Sequence, residues 1–107
     1  MLDIMRGGIV YKAYNKISGK SYIGKTLGDL NKRVFDHLNS SKNNSQSCFH
    51  KAIKEYGVQS FIWLIIDFAG TEQILDEKEV YWIKYYNTKI PNGYNTTRGS
   101  GGGYSRL

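Results

Sequence analysis

One hundred and seven residues with a formal charge of +6 suit a single domain whose one modest core hides roughly 65% of the unfolded surface. The lone cysteine, Cys48, rules out an internal disulfide and, with no Cys/His cluster beside it, argues against structural zinc. No apolar run approaches the ~18 residues of a membrane span, and the opening MLDIMRGG lacks a signal peptide's charged start and apolar block, so no membrane partner and a reducing, cytoplasmic setting are expected.

In chain order, GGIVYKAYNKISGKSYIG reads as a β-hairpin. Ile9, Tyr11 and Ala13 alternate with Val10, Lys12 and Tyr14. Asn15 to Gly19 is the turn, with Gly19 suited to a left-handed backbone, and Lys20 to Gly24 is the return strand. Thr26 with Asp29 resembles a capping box before a first helix, in which Leu30, Val34 and Leu38 form an apolar stripe. NSSKNNSQS, residues 39–47, has no apolar residue and is expected as a loop. A second helix is expected over about Gln46 to Tyr56, stopped by Gly57. FIWLIIDF, Phe61 to Phe68, is a continuous apolar run that fits a buried central strand. Thr71 opens a third helix reaching about Tyr86. The fold class expected is α+β: a small three-stranded antiparallel sheet flanked by three helices, in the order ββααβα. The domain would span residues 1–97, with 98–107 a glycine-rich flexible tail or the start of a linker.

The third helix carries an acid on its packed face. With Leu75 at zero on a wheel of about 100° per residue, Glu79 falls at about 40°, between Tyr86 and Ile83. Asp76, Glu77 and Lys84 fall on the other side. A buried carboxylate without compensation costs several kcal/mol. Glu79 therefore has a cationic partner, for which Arg33 is a candidate, or binds a metal, or opens to solvent. On the first helix Arg33 and His37 sit on the shoulder of the apolar stripe. Charge is uneven as well: residues 1–45 hold eight Lys/Arg against three Asp/Glu. That half, with Lys12, Lys20, Lys25, Lys32 and Arg33, is the one suited to a polyanion such as DNA or RNA.

Taken in order, these residues resemble the GIY-YIG nuclease family. Gly8-Ile9-Val10-Tyr11 stands for the first motif and Tyr22-Ile23-Gly24 for the second. The helix LNKRVFDH supplies Arg33, and EKEVYWIKYYNTKIPNGYN is similar to the family's glutamate, its tryptophan-isoleucine and its Gly-Tyr-Asn. The match runs from about residue 8 to residue 97 and is most like the catalytic domains of phage and intron-encoded homing endonucleases. The first-motif glycine is displaced by one position. Ser21 stands where some members have a lysine that helps deprotonate the first tyrosine; Lys20, Lys25 or a histidine is left for that part.

The resemblance implies metal-dependent hydrolysis of a DNA phosphodiester, with double-stranded DNA as partner, Mg²⁺ (or Mn²⁺) as cofactor, and a monomer as the default state in a phage or bacterial host cell. Tyr11 is implied as general base, its pKa lowered by the surrounding cations, with Tyr22 orienting water or phosphate. Arg33 is implied as phosphate clamp, His37 as an accessory one turn on, Glu79 as metal ligand, and Asn95 as fixing substrate or neighbouring side chains. The alternatives are a catalytically inactive basic nucleic-acid-binding module, which needs no Glu79 on the packed face, and a purely structural domain.

Overall fold

The computed structural model describes residues 7–97 and Gly99. The rest of the expected tail, like residues 1–6, lies outside the described residues. The elements are β1 (Gly8–Asn15), β2 (Ser21–Thr26), α1 (Leu30–Lys42), α2 (Cys48–Tyr56), β3 (Phe61–Ala69) and α3 (Glu72–Tyr86), in the expected ββααβα order. Asn15 shapes the hairpin turn: its side-chain oxygen accepts from the N–H groups of Ile17 and Ser18 at 2.8 and 3.2 Å. Gly19 takes the left-handed conformation, φ 78°.

The sheet runs β2-β1-β3 and is antiparallel throughout. The central strand is therefore β1, not the apolar run Phe61 to Phe68, which forms an edge. Ile62, Leu64, Ile65 and Phe68 are exposed there, while Val10, Tyr11 and Ala13 of β1 are fully buried. A strand covered on both faces and paired on both sides can alternate in sequence, and an edge strand can be continuously apolar, because composition does not report the number of pairing partners.

Two clusters flank the sheet. On one face Ala13 and Phe61 pack with Phe49, Ala52 and Ile53 of α2 and with Tyr94. On the other, Val10 and Ile23 pack with Leu75 and Ile83 of α3. Each of the Val, Leu, Ile and Phe side chains among them contributes about 1.5–3 kcal/mol when fully buried.

Four local expectations are corrected. The cap of α1 is Asp29 alone, accepting from the Lys32 N–H at 2.8 Å, while Thr26 ends β2 and accepts from the Gly28 N–H. Helix α1 continues through residues 39–42, which were expected as loop; buried Ser41 satisfies its hydroxyl inside the helix by donating to the Leu38 carbonyl at 2.7 Å. The buried line of α1 is His37 and Ser41, with Leu30, Val34 and Leu38 only partly covered. Helix α2 begins two residues later than expected, capped by Ser47.

After α3 the chain returns along β2. Asn95 accepts from the Ile23 N–H and donates to the Ile23 carbonyl, both at 2.9 Å, so its amide pairs with the edge strand as a neighbouring backbone would. Thr88 donates to the same Asn95 oxygen at 2.7 Å.

Candidate active site

Tyr11 lies at the middle of β1 opposite Gly24 of β2. A Cβ at Gly24 would stand 2.4 Å from the Tyr11 ring and hydroxyl, so only glycine leaves room for the phenol to cross the partner strand. The Tyr11 hydroxyl meets His37 Nε2 at 2.6 Å and accepts from Arg33 Nε at 3.3 Å. Rings of Tyr22, Trp63 and His37 surround it at centroid distances of 6.0–6.3 Å.

Burial pushes the Tyr11 phenol well above its ordinary value, and Tyr22 and Glu79 add to the rise; Arg33 opposes it through charge and hydrogen bond without cancelling it. The expectation that nearby cations lower Tyr11 is thus corrected, because desolvation outweighs the one guanidinium in contact. Tyr22 is pushed up to about 12 by burial and by the Glu79 charge, against Arg33. Burial, with Arg33 and His50, holds His37 down at about 3, so its ring is neutral at physiological pH.

A cleft of about 340 Å³ opens over the β2 edge, lined by Tyr22, Lys25, Arg33, Glu72, Leu75 and Glu79 among others. Arg33 comes from α1 on one face of the sheet and Glu79 from α3 on the other. They line the same cleft because β2 is an edge strand and both helices reach around it. Glu79 is 8% exposed. Lys25 stands 3.8 Å from its carboxylate and also pairs with Asp76. The cation identified beside Glu79 is thus Lys25, whereas Arg33 bonds Tyr11.

Of the residues anticipated from sequence, Tyr22, Arg33, Glu79 and Lys25 line the cleft, and Tyr11 and His37 stand directly behind Arg33. Asn95 supports the β2 backbone from within the fold. Lys12 lies over the Tyr86 ring at 4.1 Å, Lys20 lines a separate hollow with Lys51 and Tyr94, and exposed Lys32 pairs with Asp36. Sequence reasoning missed His50, whose Nε2 meets His37 Nδ1 at 2.8 Å, and Ser45, which meets His50 Nδ1 at 2.7 Å. The signal available was that His50 is the chain's one other histidine; a contact between two helices leaves no periodicity.

Among the described residues no group of three or more His, Cys, Asp or Glu is placed to hold a metal ion. A single carboxylate ligand, Glu79, at the wall of an open cleft fits a cation that keeps most of its water and takes further oxygens from a substrate, the habit of Mg²⁺.

A family model for the GIY-YIG catalytic domain matches residues 7–95. Two solved structures of the catalytic domain of the homing endonuclease I-TevI, an intron endonuclease, superpose on the chain, one being a point mutant. Their TM-scores are 0.73 and 0.71 at 25% identity, over 86% and 84% of this chain and 95% and 98% of theirs. Protein 146R of Invertebrate iridescent virus 6 is 30% identical over 86 residues, which are 78% of this chain and 35% of that protein. Protein 019R of the same virus is 30% identical over 57 residues, 53% of this chain and 20% of that protein. The chain thus spans about a third or less of these curated relatives. With the fold, the ordered motifs and the family model agreeing over most of its length, this chain belongs to the GIY-YIG catalytic-domain family.

Proposed function

We propose that the chain is a divalent-metal-dependent DNA endonuclease domain that hydrolyses phosphodiester bonds, of the kind found in homing endonucleases. The observation that carries this reading is the convergence of Tyr22, Arg33 and Glu79, from three elements, on one cleft with Tyr11 bonded behind it. The basic first half of the chain supports a DNA substrate, since phosphate contacts release counterions. One candidate active site among the described residues suits cutting one strand at a time, as a monomer.

Glu79, with water and substrate oxygens, would hold Mg²⁺ or Mn²⁺, which when bound supplies Lewis-acid polarisation of the phosphate. The chain's own residues do the rest. Arg33 uses its Nε on Tyr11 and keeps its two terminal amino groups for a phosphate. Tyr11 takes the proton of the attacking water once its own has gone to His37 Nε2, and the Arg33 N–H stabilises the phenolate so formed. Tyr22, at the cleft wall, orients the water or phosphate. Asn95 holds the Ile23 backbone and with it the positions of Tyr22 and Gly24.

Supercoiled plasmid nicking with Mg²⁺, with and without chelator, tests the reading. Chelator-sensitive nicking that disappears in Glu79→Gln is expected. DNA binding without nicking at any metal concentration would instead leave a basic binding module.

A further inference from the structure

Four side chains from β1, α1, the turn before α2, and α2 form one unbroken line of hydrogen bonds. Tyr11 Oη meets His37 Nε2 at 2.6 Å, His37 Nδ1 meets His50 Nε2 at 2.8 Å, and His50 Nδ1 meets Ser45 Oγ at 2.7 Å. The line starts at a fully buried hydroxyl and ends at a half-buried serine in the polar turn between α1 and α2. Neither His50 nor Ser45 lines the cleft. Resting on the nuclease reading above, we propose that His50 and Ser45 are the proton exit for Tyr11, carrying its proton through His37 to bulk water at the turn between α1 and α2, outside the cleft lining.

The hydrogen-bond inventory fits this use. A neutral imidazole has one N–H and one lone pair. With Tyr11 donating to His37 Nε2, His37 donates through Nδ1 to His50 Nε2, and His50 donates through Nδ1 to Ser45 Oγ. Transfer then breaks the Tyr11 O–H bond and forms His37 Nε2–H. It breaks His37 Nδ1–H and forms His50 Nε2–H, and it moves the His50 Nδ1 hydrogen to Ser45, whose own hydrogen passes to water. One proton leaves Tyr11 and one leaves Ser45. Both rings end neutral in the opposite tautomer, and the phenolate accepts from His37 Nε2–H and Arg33 Nε–H.

A relay is needed because His37 cannot store the proton. Burial and the charges of Arg33 and His50 disfavour an imidazolium there, with only Asp36 opposing them. His50 is disfavoured as a cation too, by burial and by Arg33. Passing the proton on avoids a buried charge at either ring. The Ser47 N–H donates to Ser45 Oγ at 3.2 Å and fixes the oxygen at the outlet.

The test uses the full 107-residue chain, plasmid cleavage under single-turnover conditions, and His50→Ala and Ser45→Ala. His50→Ala is expected to cut about ten- to a hundredfold more slowly, up to the lower end of what a positioned acid–base group contributes. Free imidazole should restore much of that loss and leave the parent unchanged, and Ser45→Ala should slow cutting less. Parental rates in His50→Ala, or a loss that imidazole does not recover, overturn the relay while leaving the nuclease standing. An arm independent of cutting reads ring ¹⁵N resonances: Ser45→Ala should shift the tautomers of His50 and His37 together. If the parent cuts no DNA the nuclease reading falls, and this arm alone decides whether the four groups are coupled; a Ser45→Ala change confined to His50 refutes that coupling.

Discussion

Acid should destabilise this domain well above the range where carboxylates protonate, through His37. Its ring is 4% exposed and is held at about 3 against an ordinary 6.5. In the unfolded chain the ring binds a proton once pH falls below 6.5; in the folded chain it does not until about 3. The unfolded state therefore holds the extra proton throughout that window, and stability falls as pH falls through it. From about pH 7.5 to about pH 5 the loss is about 2 kcal/mol, since each unit below the unfolded pKa costs about 1.4 kcal/mol. That is a substantial part of the roughly 5–15 kcal/mol that holds a domain together. His50 is shifted the same way, by burial and then Arg33, and deepens the fall. Asp67, held low by the Trp82 indole N–H and by Lys78, also favours the folded state towards neutral pH, but its contribution is lost only below the ordinary 3.8. Urea melts followed by circular dichroism at several pH values between these limits measure the slope. His37→Gln, which keeps a hydrogen-bonding side chain beside Tyr11, should flatten it to the part due to His50. An unchanged midpoint between pH 7.5 and 5, or an unaltered slope in His37→Gln, would refute the placement of a neutral histidine in the core.

Other expectations concern the cleft and its supports. Glu79→Gln should abolish Mg²⁺-dependent nicking with the fold intact. It should also ease ionisation of Tyr22, whose rise owes its second contribution to the Glu79 charge; tyrosine ¹³Cζ shifts against pH would check the direction. Arg33→Lys keeps the charge and loses the fork, so plasmid cutting should fall by about tenfold or more for a lost hydrogen bond to a charged group of about 1.5–3 kcal/mol. Gly24→Ala should cost about 1–3 kcal/mol by overpacking against Tyr11, seen as a lower melting temperature together with slower nicking. Asn95→Ala leaves the Ile23 N–H and carbonyl without their side-chain partner and should cost about 1–3 kcal/mol for each group left unsatisfied, read by thermal melting.

The sequence made much of this legible where a local rule was at work. Turn chemistry at Asn15 and Gly19, the helical period through Leu75, Glu79 and Ile83, and the span of the third helix from Thr71 to about Tyr86 are local features, and all three appear in the structure. The buried position of Glu79 followed from periodicity alone. Features that depend on what lies across the sheet were not legible. The run from Phe61 to Phe68 has the composition of a central strand, yet its place at the edge is decided by β1 pairing with both neighbours. The stripe Leu30, Val34 and Leu38 looked like the core face of α1, while aromatic rings from β1, α2 and β3 bury His37 instead. No pattern along one element records a hydrogen bond such as His37 to His50, made between residues thirteen apart on two helices.

Burying the proposed base raises its pKa, and a base with a raised pKa is hard to ionise, so the placement of Tyr11 looks self-defeating until its neighbours are considered by side. On the α3 side stand Glu72, Asp76, Glu79 and Lys25, a charged wall whose Glu79 raises both tyrosines. On the α1–α2 side the partners His37, His50 and Ser45 carry no charge at neutral pH and form a continuous hydrogen-bonded path. Arg33 stands between them, bonded to Tyr11 and lining the cleft. Neutralising Glu79 removes one of the influences that hold Tyr11 protonated, and the α1–α2 side offers a route by which the proton leaves without a positive charge resting on either imidazole. The same burial that makes an isolated phenolate costly also strengthens the hydrogen bonds of the line at its Tyr11–His37 end. On the proposed nuclease reading, protonated Tyr11 and the phenolate that would act on a substrate are two states of one hydrogen-bonded arrangement.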